Sequence, residues 1–212
     1  MEKRIYPIGI QNFEKLRKDG YVYVDKTAWV HRLVTTGSYY FLSRPRRFGK
    51  SLLISTLEAY FLGKRELFEG LAIEQLEENW TVRPVFHLDL NIGKYDTLGS
   101  LDDMLEKNVA KWEELYGANK SERTIALRFA GVIERAVEKT GHRVAILVDE
   151  YDKPMLQAIG NPELQKEFRN TLKPFSGVLK SMDGYIKLGF QKERSSMIKE
   201  ETIHNTCILA SI

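Results

Sequence analysis

The sequence predicts a three-layer α/β domain built on a mostly parallel sheet. Two observations carry this. Short β-prone runs alternate with helical periodicities along the chain, the spacing of successive βαβ units. Residues 144–148, VAILV, are also an unbroken apolar run, which suits a strand covered on both faces of a parallel sheet.

The elements follow in chain order. Residues 21–24 are a short β-prone stretch and residues 27–34 read as helical. Residues 39–42 form an aromatic and apolar run between Gly37-Ser38 and Arg44-Pro45, hence a strand. Residues 51–62 read as a helix with Leu52, Leu53, Leu57 and Phe61 on one side. A strand is predicted over 85–90, after Pro84. A helix over 98–116 follows from Leu101, Leu105, Val109 and Trp112 at three- and four-residue steps. Ser121 is an N-cap candidate for a further helix whose apolar face is Ile125, Phe129, Val132, Ile133 and Val137. Asn161-Pro162 opens another helix, with an end or bend expected before Pro174. The last strand candidate is 186–190. The expected division is a folded domain over 1–190 and a divergent tail over 191–212.

Composition excludes several function classes. The 32 basic residues nearly balance 29 acidic ones, leaving a formal charge of +3. Charge therefore does not indicate a nucleic-acid partner. Cys207 is the sole cysteine, so a disulfide within the chain and a thiolate metal cluster are ruled out. The charged start lacks the apolar core of a signal peptide. No apolar run reaches the roughly 18 residues of a spanning helix. The expectation is a cytoplasmic protein with no membrane contact.

The strongest local signal is RPRRFGKS, residues 44–51, between a predicted strand and a predicted helix. That is the setting of a phosphate-binding P-loop, or Walker A motif. Gly49 lets the backbone turn so that its N–H groups approach phosphate oxygens. The helix N-terminus adds partial positive charge. Lys50 is placed to reach the β- and γ-phosphates, and Ser51 to ligate Mg2+. The candidate phosphate-binding residues are Arg44, Pro45, Arg46, Arg47, Phe48, Gly49, Lys50, Ser51 and Leu52. The first glycine of the usual pattern is replaced by Arg44. The reading without function is a basic loop capping a helix.

VAILVDEYDKP, residues 144–154, supplies an acidic half of Walker B type. A rigid strand presents its C-terminal carboxylates at fixed positions, where open α/β sheets bind ligands. Asp149 is the candidate metal ligand with Ser51, and Glu150 the candidate group that orients or deprotonates an attacking water. Asp152 is a candidate hydrogen-bond partner behind them, and Pro154 fits the first turn of a following helix. Glu150 directly after Asp149, and the strand over 85–90 between the two halves in sequence, fit the P-loop NTPase class with a catalytic glutamate and favour ATP over GTP.

With these residues in view, the chain resembles the bacterial and archaeal AAA-ATPase-like proteins. Their P-loop reads RPRRFGKS and also lacks the first glycine. Residues 8–27 (IGIQNFEKLRKDGYVYVDKT), 67–73 (LFEGLAI) and 148–154 (VDEYDKP) resemble the family too, and the similarity runs from about Tyr6 to about Phe190. The resemblance implies an ATP-binding module. Many relatives carry a PD-(D/E)XK nuclease-like domain farther along, so a nuclease-linked partner is one expectation. In the family, the strand over 186–190 continues into a Thr-Gly pair near the γ-phosphate. Here the chain reads QKERSSMIKEETIHNTCILASI, a frameshifted or a divergent end. A fifth strand beside 39–42 is then lacking, with 208–212 a weak candidate, so reduced stability or self-association through that edge is expected. Two functions remain open: a Mg2+-dependent ATPase using Lys50 and Glu150, or a nucleotide-binding module with little turnover.

Other residues have plainer readings. Asp25 precedes a helix and reads as its cap, with a place near the nucleotide as the alternative. His87 reads as a satisfied sheet histidine, and His31, His142 and His204 lack ligand spacing. Trp29, Trp80 and Trp112 read as core. Arg46 and Arg47 read as phosphate neutralisers, and Arg169 and Arg194 as surface residues.

Overall fold

The computed structural model describes residues 5–43 and 49–193. Its order is α1 (Phe13–Lys18), α2 (Thr27–Thr36), β1 (Tyr39–Ser43), α3 (Lys50–Phe61), a 3-10 turn (Arg65–Phe68), α4 (Ala72–Leu76), β2 (Val85–Asp89), α5 (Ser100–Tyr116), α6 (Ile125–Thr140), β3 (Val144–Asp149), α7 (Lys153–Gln157), α8 (Pro162–Ser181) and β4 (Ile186–Glu193). The four strands form one sheet in the order β1-β4-β3-β2, all pairs parallel. The last strand is thus inserted between β1 and β3.

Side-chain alternation divides the core into two layers. All six residues of β3 are buried. Val144, Ile146 and Val148 join a cluster with Phe86, Leu88 and the inner faces of α5, α6 and α8, including Trp112, Phe129, Phe168 and Phe175. Ala145 and Leu147 join Leu188 and Phe190 beneath Ile54, Leu57 and Phe61 of α3, with Phe13, Val30 and Val34 behind. The period-two pattern of a strand therefore feeds two helical layers. Phe129 stacks on Phe175 with ring centroids 4.4 Å apart, which locks α6 to α8.

The long elements agree with the sequence-based expectations, and several details differ. α6 is capped by Thr124, whose hydroxyl accepts from the Leu127 N–H; Ser121 instead bonds Asn119 in the preceding turn. α8 begins at the Asn161 cap as expected, but it runs through Pro174. The missing Pro N–H removes one ladder bond. Phe168, Leu172, Phe175 and Val178 continue a single buried face across it, and that burial carries the helix through. Residues 21–24 form no strand beyond one bridge between Ile5 and Tyr21. Trp112 is buried, whereas Trp29 is half exposed with Arg32 over its ring. β4 continues three residues past Phe190. Among the described residues β1 is bonded on one side only. The candidate strand at 208–212, Cys207, His204 and Arg194 lie outside the described residues.

Asp25 acts as a cap, shared between two helices. One carboxylate oxygen accepts from the Thr27 N–H and hydroxyl at the start of α2, at 2.8 and 2.7 Å. The other accepts from the Ala72 N–H at the start of α4, 2.7 Å away. Burial works to raise its pKa, but these bonds outweigh it and hold the carboxyl below the usual range. Replacing Asp25 with Ala should destabilise the chain by about 1 kcal/mol in denaturant titrations. Asp25→Asn that kept full stability but lost ATP affinity would return Asp25 to the nucleotide site.

Candidate functional site

In a parallel sheet every strand ends on the same edge, so the ends of β1, β4, β3 and β2 line one rim. Lys50 and Ser51 open α3 after Gly49; the preceding Arg44, Pro45, Arg46, Arg47 and Phe48 lie outside the described residues. Gly49 precedes the helix with φ 72°, a left-handed conformation that favours glycine. The first N–H groups of α3 are not used by its own ladder and face the rim.

The acidic pair closes β3. Asp149 is the last strand residue and 9% exposed. Glu150 follows with φ 57°, the left-handed region in a non-glycine residue. Such backbones cost on the order of 1–3 kcal/mol and concentrate at functional sites. Here the turn takes the chain off the sheet into α7, with the Lys153 N–H returning to the Glu150 carbonyl. Buried Lys153 donates to the Asn91 and Gly93 carbonyls and fixes the loop after β2. Asp152 is buried as well.

The two halves meet on a residue that sequence reasoning missed. Val148 pairs with Gln191 and Leu42 with Lys192, so Lys192 lies beside Asp149 in the next step of the sheet. Lys192 shares the parity of Leu188 and Phe190, and Asp149 that of Ala145 and Leu147. Both therefore turn to the α3 side. The Lys192 ammonium is 2.8 Å from Ser51 Oγ and 3.2 Å from Glu150 Oε1, and it ion-pairs with Asp149 Oδ1. The residue is 2% exposed. Lys50 Nζ donates to the Glu193 carbonyl, 2.8 Å away. Burial and the neighbouring Lys192 charge push Lys50 below the usual lysine range, against the pull of Glu150, Asp152 and Asp149. The only signal that could have located Lys192 was strand parity carried past Phe190. The polar run Gln-Lys-Glu hid that continuation.

These residues line a cleft of about 1020 Å³ whose wall includes Ile8, Ile10, Asn12, Glu58, His87 and Asn91. The N-terminal loop is tied to α3 through Ser55, which accepts from the Phe13 N–H and donates to the Gln11 carbonyl. His87 meets Glu58 at 3.2 Å. Burial disfavours its protonated ring, but the Glu58 bond and charge outweigh that and raise its pKa. Its other ring nitrogen is buried without a described partner, so His87 is a satisfied sheet histidine only in part. Neither Asp25 nor the exposed Arg169 lines the cleft.

The donors suit Mg2+ in kind, since Ser51, Asp149 and Glu150 offer hard oxygens. They do not fit it in place. Magnesium requires oxygens at about 2.0–2.1 Å, and the point on which these three converge holds an ammonium of the chain itself. Among the described residues no three His, Cys, Asp or Glu side chains are grouped to hold a metal ion.

Glu193 provides a pH-dependent signature. Burial, reinforced by the Asp152 carboxylate and opposed by Lys50, pushes its carboxyl up to about 7. Between its unfolded value of 4.5 and about 7, the folded state binds the additional proton. This contribution to stability is therefore present at low pH and lost as pH rises through about 7. Glu193→Gln should remove a decline on the order of 2 kcal/mol between pH 5 and pH 8, read from denaturant midpoints.

The sheet order and the two helical layers are those of a P-loop NTPase-like three-layer fold. A family model described as Predicted AAA-ATPase matches residues 7–200, past Phe190. The chain is also similar to an "Uncharacterized protein in vnfD 5'region" of Azotobacter chroococcum mcd 1, 38% identical over 189 residues. That alignment covers 88% of this chain and 36% of the relative, so the chain spans little more than a third of that protein's length. No solved structure matches. Among the described residues no helix is long and apolar enough to cross a membrane. The match over most of its length places the chain in the predicted AAA-ATPase family.

Proposed function

We propose that the chain binds ATP in the cleft at the N-terminus of α3, as a nucleotide-binding module of the cytoplasm. The observation that carries this reading is the convergence of Lys50 and Ser51, on one element, with Asp149 and Glu150, on another, at one rim of a parallel sheet. The triphosphate lies along the opening turn of α3, where helix N–H groups supply donors. Lys50, held near the rim by the Glu193 carbonyl, turns to the β- and γ-phosphate oxygens. The loop carrying Ile8 and Ile10 offers apolar surface to the base.

Hydrolysis is the second reading. It is favoured by Glu150, whose strained turn holds a carboxylate at the rim where a water in line with the γ-phosphate would be oriented. Against rapid turnover stands the Lys192 ammonium, which engages the same carboxylate. We therefore infer that this chain binds ATP and turns it over slowly.

Equilibrium binding of a fluorescent ATP analogue and single-turnover hydrolysis test both readings. Lys50→Ala should weaken binding by at least about tenfold, the loss of one charge-assisted phosphate contact. Glu150→Gln should leave binding intact and abolish what hydrolysis the wild type shows. Unchanged affinity in Lys50→Ala would overturn the ATP reading.

A further inference from the structure

We propose that Lys192 is the resident cation of this site: its ammonium replaces a divalent metal against Ser51, Asp149 and Glu150, so that nucleotide is taken up without magnesium. The proposal concerns the site just described, and it rests on the ATP reading only where nucleotide itself is concerned.

Three features of the side chain carry it. Its place is built by the fold, because β4 lies between the two strands whose ends form the site and parity turns residue 192 to the α3 side. Its three oxygen partners are the residues that the P-loop pattern assigns to a metal and to water activation. It is 2% exposed, and a buried ammonium is retained only where charge and hydrogen bonds offset its desolvation. Two carboxylates and a hydroxyl supply that compensation. Lys50, the other cation facing this cluster, donates to the Glu193 carbonyl and also feels the charges of Glu150, Asp152 and Asp149, whereas the Lys192 ammonium is in direct reach of Ser51, Asp149 and Glu150. A magnesium ion at the same point would bring two cations into contact in a water-poor setting. Metal and ammonium therefore exclude one another.

The functional consequence is a change in how phosphate charge is neutralised. Magnesium ordinarily bridges two phosphate groups through a coordination sphere. An ammonium on a stem anchored in β4 is a point charge with three donors, so it balances charge without the octahedral geometry that a metal imposes.

The first test needs no nucleotide. Thermal unfolding of the wild type and of Lys192→Ala is followed in EDTA and in millimolar magnesium chloride. The wild-type midpoint should not move. Lys192→Ala, left with converging carboxylates, should melt lower in EDTA and recover several degrees with magnesium. Equal magnesium responses in the two proteins, or none in a folded Lys192→Ala, would overturn the proposal. Should Lys192→Ala fail to fold, manganese resonance spectra of the wild type decide instead. In the absence of nucleotide, the spectrum of free manganese is expected to be unchanged by the protein. A stoichiometric bound ion that Asp149→Asn removes would refute it.

The second test compares the fluorescent ATP analogue in EDTA and in magnesium. Wild-type affinity should differ by less than about twofold, and Lys192→Ala should bind at least about tenfold tighter with magnesium. Magnesium dependence in the wild type equal to that of the variant would overturn the proposal. Absence of nucleotide binding in every condition would instead defeat the ATP reading, while the magnesium melting experiment still judges Lys192.

Discussion

The insertion of β4 between β1 and β3 is the constraint on which the site depends. In a parallel sheet the ends of neighbouring strands must share a rim, and pairing fixes which residues stand abreast. Placing the last strand in the middle sets residues 191–193 between Ser51 and Asp149. Whatever side chain occupies position 192 must then be compatible with two carboxylates and a hydroxyl. A lysine meets that requirement as an ion-paired, hydrogen-bonded group, and the buried layers on either side hold it there.

The same geometry accounts for the electrostatics around it. Burial, with the Lys192 charge added, lowers the affinity of Lys50 for its proton, and burial, with the Asp152 charge added, raises that of Glu193 for its own. Five charged side chains with little solvent contact, Lys50, Asp149, Asp152, Lys192 and Glu193, are packed near one rim. Such a cluster is costly to assemble unless its charges compensate. Its presence in a largely apolar core is consistent with a binding role, because structural stability alone is better served by apolar packing.

Much of this was legible in the sequence, for identifiable reasons. The unbroken run at 144–148 suited a doubly covered strand, periodic leucines and aromatics located α3, α5 and α6 to within a few residues, and the Asn161-Pro162 cap located the start of α8. The pairing of Lys50 and Ser51 with Asp149 and Glu150 followed from motif chemistry. Three things were not legible. Pro174 argues locally for a helix end, and only the buried face spanning it overrides that. Ser121 and Thr124 are both competent caps, and it is Thr124 that accepts from the Leu127 N–H while Ser121 bonds Asn119. Lys192 was invisible because its strand turns polar at Gln191, so a reading by hydrophobicity stops at Phe190. What locates it is the strand order, a tertiary fact.

Everything at this rim turns on the Lys192 ammonium being held by Ser51, Asp149 and Glu150. The most direct measurement is proton–nitrogen NMR of the lysine ammonium groups in nitrogen-15-labelled protein near neutral pH. A slowly exchanging ammonium resonance is expected, assigned by its loss in Lys192→Arg, that shifts or broadens away in Asp149→Asn. A wild-type spectrum with no protected resonance from Lys192, or one indifferent to Asp149→Asn, would contradict it.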